Sequence, residues 1–129
     1  MQRIVLDTNI LVSAFWSADG CPAKVLEMVM LRYVQLVYSN LIMAEYKSVL
    51  SRPKFRFSST RTDLLLSNLE ELGLLIVPRK SDFCMSDESD RIFYDTAKAG
   101  QAILVTGNLK HFPKEKSIMS PGDFYDLVL

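Results

Sequence analysis

Histidine and cysteine are nearly absent from this chain: among 129 residues there are one histidine, His111, and two cysteines, Cys21 and Cys84. The cysteines stand far apart and match no zinc or thiol-redox spacing, so both are expected to be buried thiols and not ligands or a disulfide. An excess of either charge is missing too. Lys+Arg and Asp+Glu are 15 each, giving a net charge of zero. That removes a global pull toward nucleic acid and leaves any such binding to a local basic patch. No apolar run approaches the length of a membrane span, and Asp7 and Asn9 interrupt the N-terminal apolar run too early for a secretory signal. A cytoplasmic protein with no membrane partner is expected. Repeats, low-complexity tracts and interdomain linkers are also lacking, so residues 1–129 read as a single domain. The hydrophobic share of 49% and charged share of 23% are those of an ordinary globular protein.

What is there is an alternation of short apolar runs with longer helical ones. Ile4–Leu6 reads as a strand, then Ile10–Trp16 and Ala23–Arg32 as helices split by the turn Asp19-Gly20-Cys21-Pro22. Val34–Val37 reads as a second strand, and Ser39 as the cap of a helix over Asn40–Leu50 that Pro53 helps to end. Arg52–Ser59 is a basic loop. Thr60–Leu72 is helical, with Leu64, Leu65, Leu69 and Leu72 on one side and Gly73 as its stop. Leu74–Val77 is a third strand, Glu88–Ala99 a helix ended by Gly100, and Ala102–Val105 a fourth strand. The apolar pair Ile118-Met119 precedes a helix that starts at Pro121. Such β–α alternation implies an α/β sandwich with a mainly parallel sheet; the strand order is not readable from it.

Three acids recur where they can converge. Asp7 ends the first strand, Glu45 lies in the helix after the second, and Asp90 lies in the first turn of the helix leading to the fourth. Ligands of parallel sheets sit beyond the carboxyl ends of the strands, where Asp7 belongs. Each acid also has a bland reading: a helix cap, a solvated helix face, or a partner of the macrodipole, which would suit Asp87 and Glu88 as well. Brought together, two carboxylates 4 Å apart would repel by about 4 kcal/mol at an effective dielectric near 20, so a proton or a cation must offset them. Oxygen donors with no His or Cys among them suit Mg²⁺ or Mn²⁺, whose chemistry is assisted phosphodiester hydrolysis. Asp95, about 140° further round the helix than Asp90, reads as a supporting or surface acid, and Asp87 as a cap.

The fourth strand runs into Thr106-Gly107-Asn108, much as the first runs into Asp7-Thr8-Asn9. Thr106 and Asn108 can donate or accept at the same edge, though Gly-Asn also suits a simple turn. Arg52, Lys54, Arg56 and Arg61 interleave with Phe55 and Phe57, a pattern for phosphates and unpaired bases, or for a solvated loop with two anchored rings. Lys110, His111, Lys114 and Lys116 follow the fourth strand. A lone histidine is more often a capping or surface residue than a general acid.

In this order the motifs resemble the PIN-domain family, and within it the toxin branch of toxin–antitoxin pairs. The resemblance is carried by Val5-Leu6-Asp7-Thr8-Asn9, the run Glu45 to Phe55, the run Asp87 to Asp95, the run Val105 to Pro113, and Ser120-Pro121-Gly122-Asp123-Phe124. It implies a three-layer Rossmann-like fold with a mainly parallel sheet of four to five strands, and a divalent-metal-dependent ribonuclease of single-stranded RNA. By the same resemblance Asp7, Glu45 and Asp90 hold Mg²⁺ or Mn²⁺, and Asn108 completes the catalytic set. Thr8, Asn9 and Thr106 orient ligands and water, and Arg52, Lys54, Arg56 and Lys110 contact RNA. Many members carry an acid where this chain has Asn108; an amide brings no charge, so one ion is expected rather than two. A small antitoxin and a second copy of the chain are the implied protein partners. The rival from another class is an inactive PIN-like module that binds RNA or protein. A phosphotransfer receiver is set aside, because the middle strand ends at Val77-Pro78 with no acceptor Asp.

Overall fold

A computed structural model describes residues 1–82, 85 and 87–129 of the chain. Its strands are β1 (Arg3–Leu6), β2 (Gln35–Tyr38), β3 (Leu74–Leu75), β4 (Ile103–Val105) and β5 (Ile118–Met119). The helices are α1 (Thr8–Trp16), α2 (Cys21–Met30), α3 (Asn40–Leu50), α4 (Ser59–Leu72), α5 (Arg91–Ala99) and α6 (Pro121–Val128). Short 3₁₀ turns at Pro53–Phe55, Glu88–Asp90 and Leu109–His111 complete the described elements. Every strand pairing is parallel, in the order β3-β2-β1-β4-β5.

β1 is the centre of the sheet because its sequence can be buried on both faces. Ile4, Val5 and Leu6 alternate sides yet are all fully buried, so helices cover the sheet above and below. β1 pairs Ile4 with Leu36 of β2 on one side and Leu6 with Val105 of β4 on the other. The chain winds outward through β2 and β3, then crosses back to place β4 beside β1. The point where that order reverses is the crevice between the ends of β1 and β4, the usual ligand position of open parallel sheets. The expected α/β class and parallel sheet are therefore present, with five strands among the described residues. Among those residues no helix is long and apolar enough to cross a membrane.

The details depart from the sequence reading where neighbours override local pattern. β3 stops at Leu75 instead of Val77. It is an edge strand that pairs only with Val37 and Tyr38; one more bond follows, from Ile76 N–H to the Tyr38 carbonyl, and Val77 is then solvent-exposed. In α4 the buried stripe is Thr62, Leu66 and Leu69, while Leu64 is 62% exposed. A threonine hides this stripe from a hydrophobicity count, and its hydroxyl is satisfied by the Ser59 carbonyl at 3.2 Å. The helical run expected from Glu88 is 3₁₀ up to Asp90 and α from Arg91. Gly73 and Gly100 do end α4 and α5, but neither is left-handed: their φ values are −84° and −88°. They are glycines because a Cβ at Gly73 would lie 2.7 Å from the Tyr38 ring, and one at Gly100 2.7 Å from Val37 Cγ1. Cys21 is half-buried and free; the expectation for Cys84 lies outside the described residues.

Candidate functional site

Asp7 is the residue at which β1 stops and α1 begins. Its N–H donates to the Val105 carbonyl (3.0 Å), extending the β1–β4 ladder by one rung, and its own carbonyl receives the Ile10 N–H (3.0 Å). The side chain is 7% exposed and makes no capping hydrogen bond to α1. Its Oδ2 instead accepts from Thr106 Oγ1 at 2.7 Å, across the crevice. Thr106, wholly buried, accepts in turn from Asn108 N–H at 3.0 Å. Gly107 N–H reaches Asn9 Oδ1 at 3.3 Å, so the two Thr/Asn motifs are stitched together as well as juxtaposed. Thr8 Oγ1 is buried with no hydrogen-bond partner.

Burial raises the pKa of the Asp7 carboxyl above the ordinary range, partly offset by the Thr106 hydroxyl, the Thr8 and Asn9 amides, and His111. Asp90, at the junction of the 3₁₀ turn and α5, is raised as well. Burial is the largest cause, followed by the negative charges of Asp7 and Asp87, with His111 opposing. Asp90 Oδ2 is buried, and His111 Nδ1 lies 3.2 Å from it. The fold thus gathers Asp7, Asp90 and His111. Two carboxylates that burial holds back from ionising, with the charge of Asp7 acting on Asp90 and one histidine beside them, fit a hard divalent cation.

Among the described residues no three His, Cys, Asp or Glu side chains stand close enough to hold a metal ion. Glu45 is half-buried on α3, and the next residue fixes that helix to the site: Tyr46 is fully buried and donates to the Leu6 carbonyl at 2.6 Å, one residue before Asp7. Asn108 is exposed, with its backbone bound to Thr106. Lys110 is exposed in the turn that carries His111. Asp87 caps its turn as expected, accepting from Ser89 N–H at 2.9 Å. Asp95 is buried, not a surface acid: its Oδ2 accepts from Ser81 N–H at 3.1 Å. Arg91, also buried, grips Glu88 through two bonds (2.6 and 2.8 Å) and the Ser81 carbonyl (2.9 Å), so two α5 side chains hold the segment preceding Asp90.

Four participants are not marked by the sequence. Tyr46 carries no signal beyond a hydroxyl on the buried face of α3. His111 was read as a surface or capping residue, and its approach to Asp90 depends on the β4 crossover. Phe15 and Trp16 fall within the helix expected over Ile10–Trp16 with no role of their own; they meet Phe55 and Phe57 of the basic loop, with Phe15 and Phe57 rings 4.8 Å apart and Trp16 and Phe55 rings 5.4 Å apart. Arg52, Lys54 and Arg56 are exposed around these rings.

Residues 3–110 match the PIN domain. Over 109 residues the chain is 27% identical to uncharacterized protein MJ1680 of Methanocaldococcus jannaschii, covering 82% of this chain and 70% of that one. Its fold is similar to the crystal structure of VapBC2 from Rickettsia felis bound to a DNA fragment from their promoter. That match has a TM-score of 0.60 and 18% identity, over 92% of this chain and 97% of that chain. At that identity the likeness is one of fold.

Proposed function

The chain belongs to the PIN domain family, and from that premise we propose that it is a divalent-metal-dependent ribonuclease of single-stranded RNA, the toxin of a toxin–antitoxin pair. The observation that carries the reading is the pair Asp7 and Asp90 at the β1–β4 crevice, both held back from ionising by burial, with Thr106 bonded to Asp7 and His111 beside Asp90. PIN domains are commonly metal-dependent, and a bound Mg²⁺ or Mn²⁺ supplies charge neutralisation at the phosphodiester and a more acidic water.

In this reading Asp7 and Asp90 hold the ion, and Glu45 is the third donor, assigned from its place beside the anchored Tyr46. Thr106 fixes the rotamer of Asp7 and keeps one oxygen engaged, leaving the other for the ion. His111 moderates the charge of Asp90. Thr8, Asn9 and Asn108 line the crevice and orient ligand and water; a neutral Asn108 supports one ion rather than two. Arg52, Lys54, Arg56 and Lys110 neutralise phosphates along the strand of RNA. The single-domain organisation, the cytoplasmic location, a small antitoxin and a homodimer belong to the same proposal. The antitoxin rests on the likeness of fold to VapBC2, itself solved as a complex.

The test is cleavage of single-stranded RNA with Mg²⁺ or Mn²⁺ by the wild-type chain and by Asp7→Asn, alongside thermal stability with and without Mn²⁺. Metal-dependent cleavage that Asp7→Asn abolishes is expected; equal activity in both proteins refutes the proposal. The uncharged Asn108 and the zero net charge of the chain favour a second reading, a binding-only module. That reading predicts neither cleavage nor stabilisation by Mn²⁺.

A further inference from the structure

Away from the acidic crevice, four aromatic rings from two distant segments form one cluster. Phe55 and Phe57 are stacked, with centroids 5.3 Å apart and planes at 12°. Phe15 stacks on Phe57 at 4.8 Å, and Trp16 meets both Phe55 (5.4 Å, 69°) and Phe57 (6.3 Å, 61°) edge-on. Yet Trp16 is 65% exposed, and Phe55 and Phe57 are only half-buried. A ring of this size left in water is unfavourable apolar surface. Its neighbours hold it in place, so a ligand would lose little side-chain entropy in using it.

The surroundings say what kind of ligand fits. Residues 52–61 carry four cations, Arg52, Lys54, Arg56 and Arg61, and no acid. Lys54 Nζ lies 5.1 Å from the Phe55 ring centre, and the Arg61 guanidinium 5.3 Å from that of Phe15. Among the described residues none of the four is in an ion pair. Exposed rings bordered by such cations match a polyanion with flat apolar units, not a purely apolar partner. Trp16 is nine residues along α1 from Asp7, roughly 14 Å at the helical rise, which one flexible strand can bridge.

We propose that Trp16, with Phe55 and Phe57, is a stacking platform for unpaired bases of single-stranded RNA, and that Lys54 and Arg61 take the flanking phosphates. The identity of the ligand rests on the ribonuclease reading; the platform's chemistry does not. Trp16 is the one tryptophan of the chain, so its fluorescence reports this place alone. The full chain is titrated in EDTA, where a metal-dependent nuclease is silent, with a 12-nucleotide single-stranded RNA and with inorganic polyphosphate of equal charge. Saturable quenching by the RNA, with little by polyphosphate, is expected. The variants lack the reporter, so their affinity is read by fluorescence anisotropy of the same RNA carrying a 5′ fluorescein; Trp16→Ala should weaken RNA binding roughly five- to a hundredfold, as loss of one stacked base does. Trp16→Phe should restore most of it.

Three results overturn the platform: no quenching by RNA, equal quenching by polyphosphate, or unchanged affinity in Trp16→Ala. A fourth is a wild-type dimer that Trp16→Ala turns to monomer in sedimentation, which would make the cluster an interface between copies. Quenching by RNA in a protein that never cleaves with Mn²⁺ would leave the platform standing and overturn the ribonuclease reading alone. Metal-dependent cleavage without quenching would do the reverse.

Discussion

Replacing Thr106 by valine probes the link between the strand ends. Valine has nearly the same shape, so packing at this wholly buried position is kept while the hydroxyl is lost. Two bonds go: the donation to Asp7 Oδ2 at 2.7 Å and the acceptance from Asn108 N–H at 3.0 Å. Asn108 is exposed and water can replace its partner. Asp7 is buried, so the loss of a donor to its carboxylate should dominate, at about 2 kcal/mol. For a chain of this length that is roughly a 7 °C fall in melting temperature.

The pH dependence of that loss is more diagnostic than its size. Burial already holds the Asp7 pKa above its ordinary value, and the Thr106 bond is the largest influence lowering it. Thr106→Val must push it higher still. Between the two native pKa values the variant stays protonated where the wild type has ionised, and above both the full loss appears. The gap between the two proteins should therefore be smallest near pH 3 and widen as pH rises through the Asp7 titration. Urea denaturation in EDTA from pH 3 to 7, with carbon NMR of the Asp7 carboxyl, measures both. A gap that stays constant with pH, or an unmoved Asp7 titration, refutes the hydrogen-bond account.

Other outcomes follow from the same geometry. Asp7→Asn should make the metal-free protein more stable at pH 7, because it removes a desolvated charge and the like-charge neighbour of Asp90; a loss in urea titration contradicts this. With both pKa values raised above 3.8, the native state binds more protons than the unfolded one just above that pH. The Asp7 and Asp90 contribution is thus present below pH 3.8 and lost as pH rises through their native values. Melting curves in EDTA, compared with an Asp7→Asn, Asp90→Asn double variant, isolate it, and Mn²⁺ should reverse the trend. Tyr46→Phe should cost about 1–1.5 kcal/mol through the bond to Leu6, with a circular-dichroism spectrum unchanged; a neutral result would mean that the hydroxyl does not anchor α3. Gly100→Ala should cost about 1–3 kcal/mol by overpacking against Val37, read by equilibrium denaturation, and Val37→Ala in the same chain should recover part of it.

The chain's periodicity made the layers legible. Short, β-branched apolar runs at Ile4–Leu6 and Ile103–Val105 read as strands buried on both sides, which requires helices above and below. It also put Asp7 at a strand end, because a carboxylate cannot continue such a run. The stripe of α4 is hidden because Thr62 stands where a leucine would have marked it, the end of β3 is set by its pairing with β2, and the start of α5 is displaced to Arg91 by the 3₁₀ turn at Glu88–Asp90.

Local sequence determined the class of fold, the parallel sheet and the candidate acids, since burial pattern, turns and caps depend on neighbours within a few residues. Tertiary structure alone decided which of those acids meet. The crossover that sets β4 against β1 brings Thr106 onto Asp7, and the turn that follows brings His111 to Asp90. It likewise joined Trp16 to Phe55 across the surface. Contacts between segments far apart in the chain depend on strand order, and no periodicity within a segment records that order.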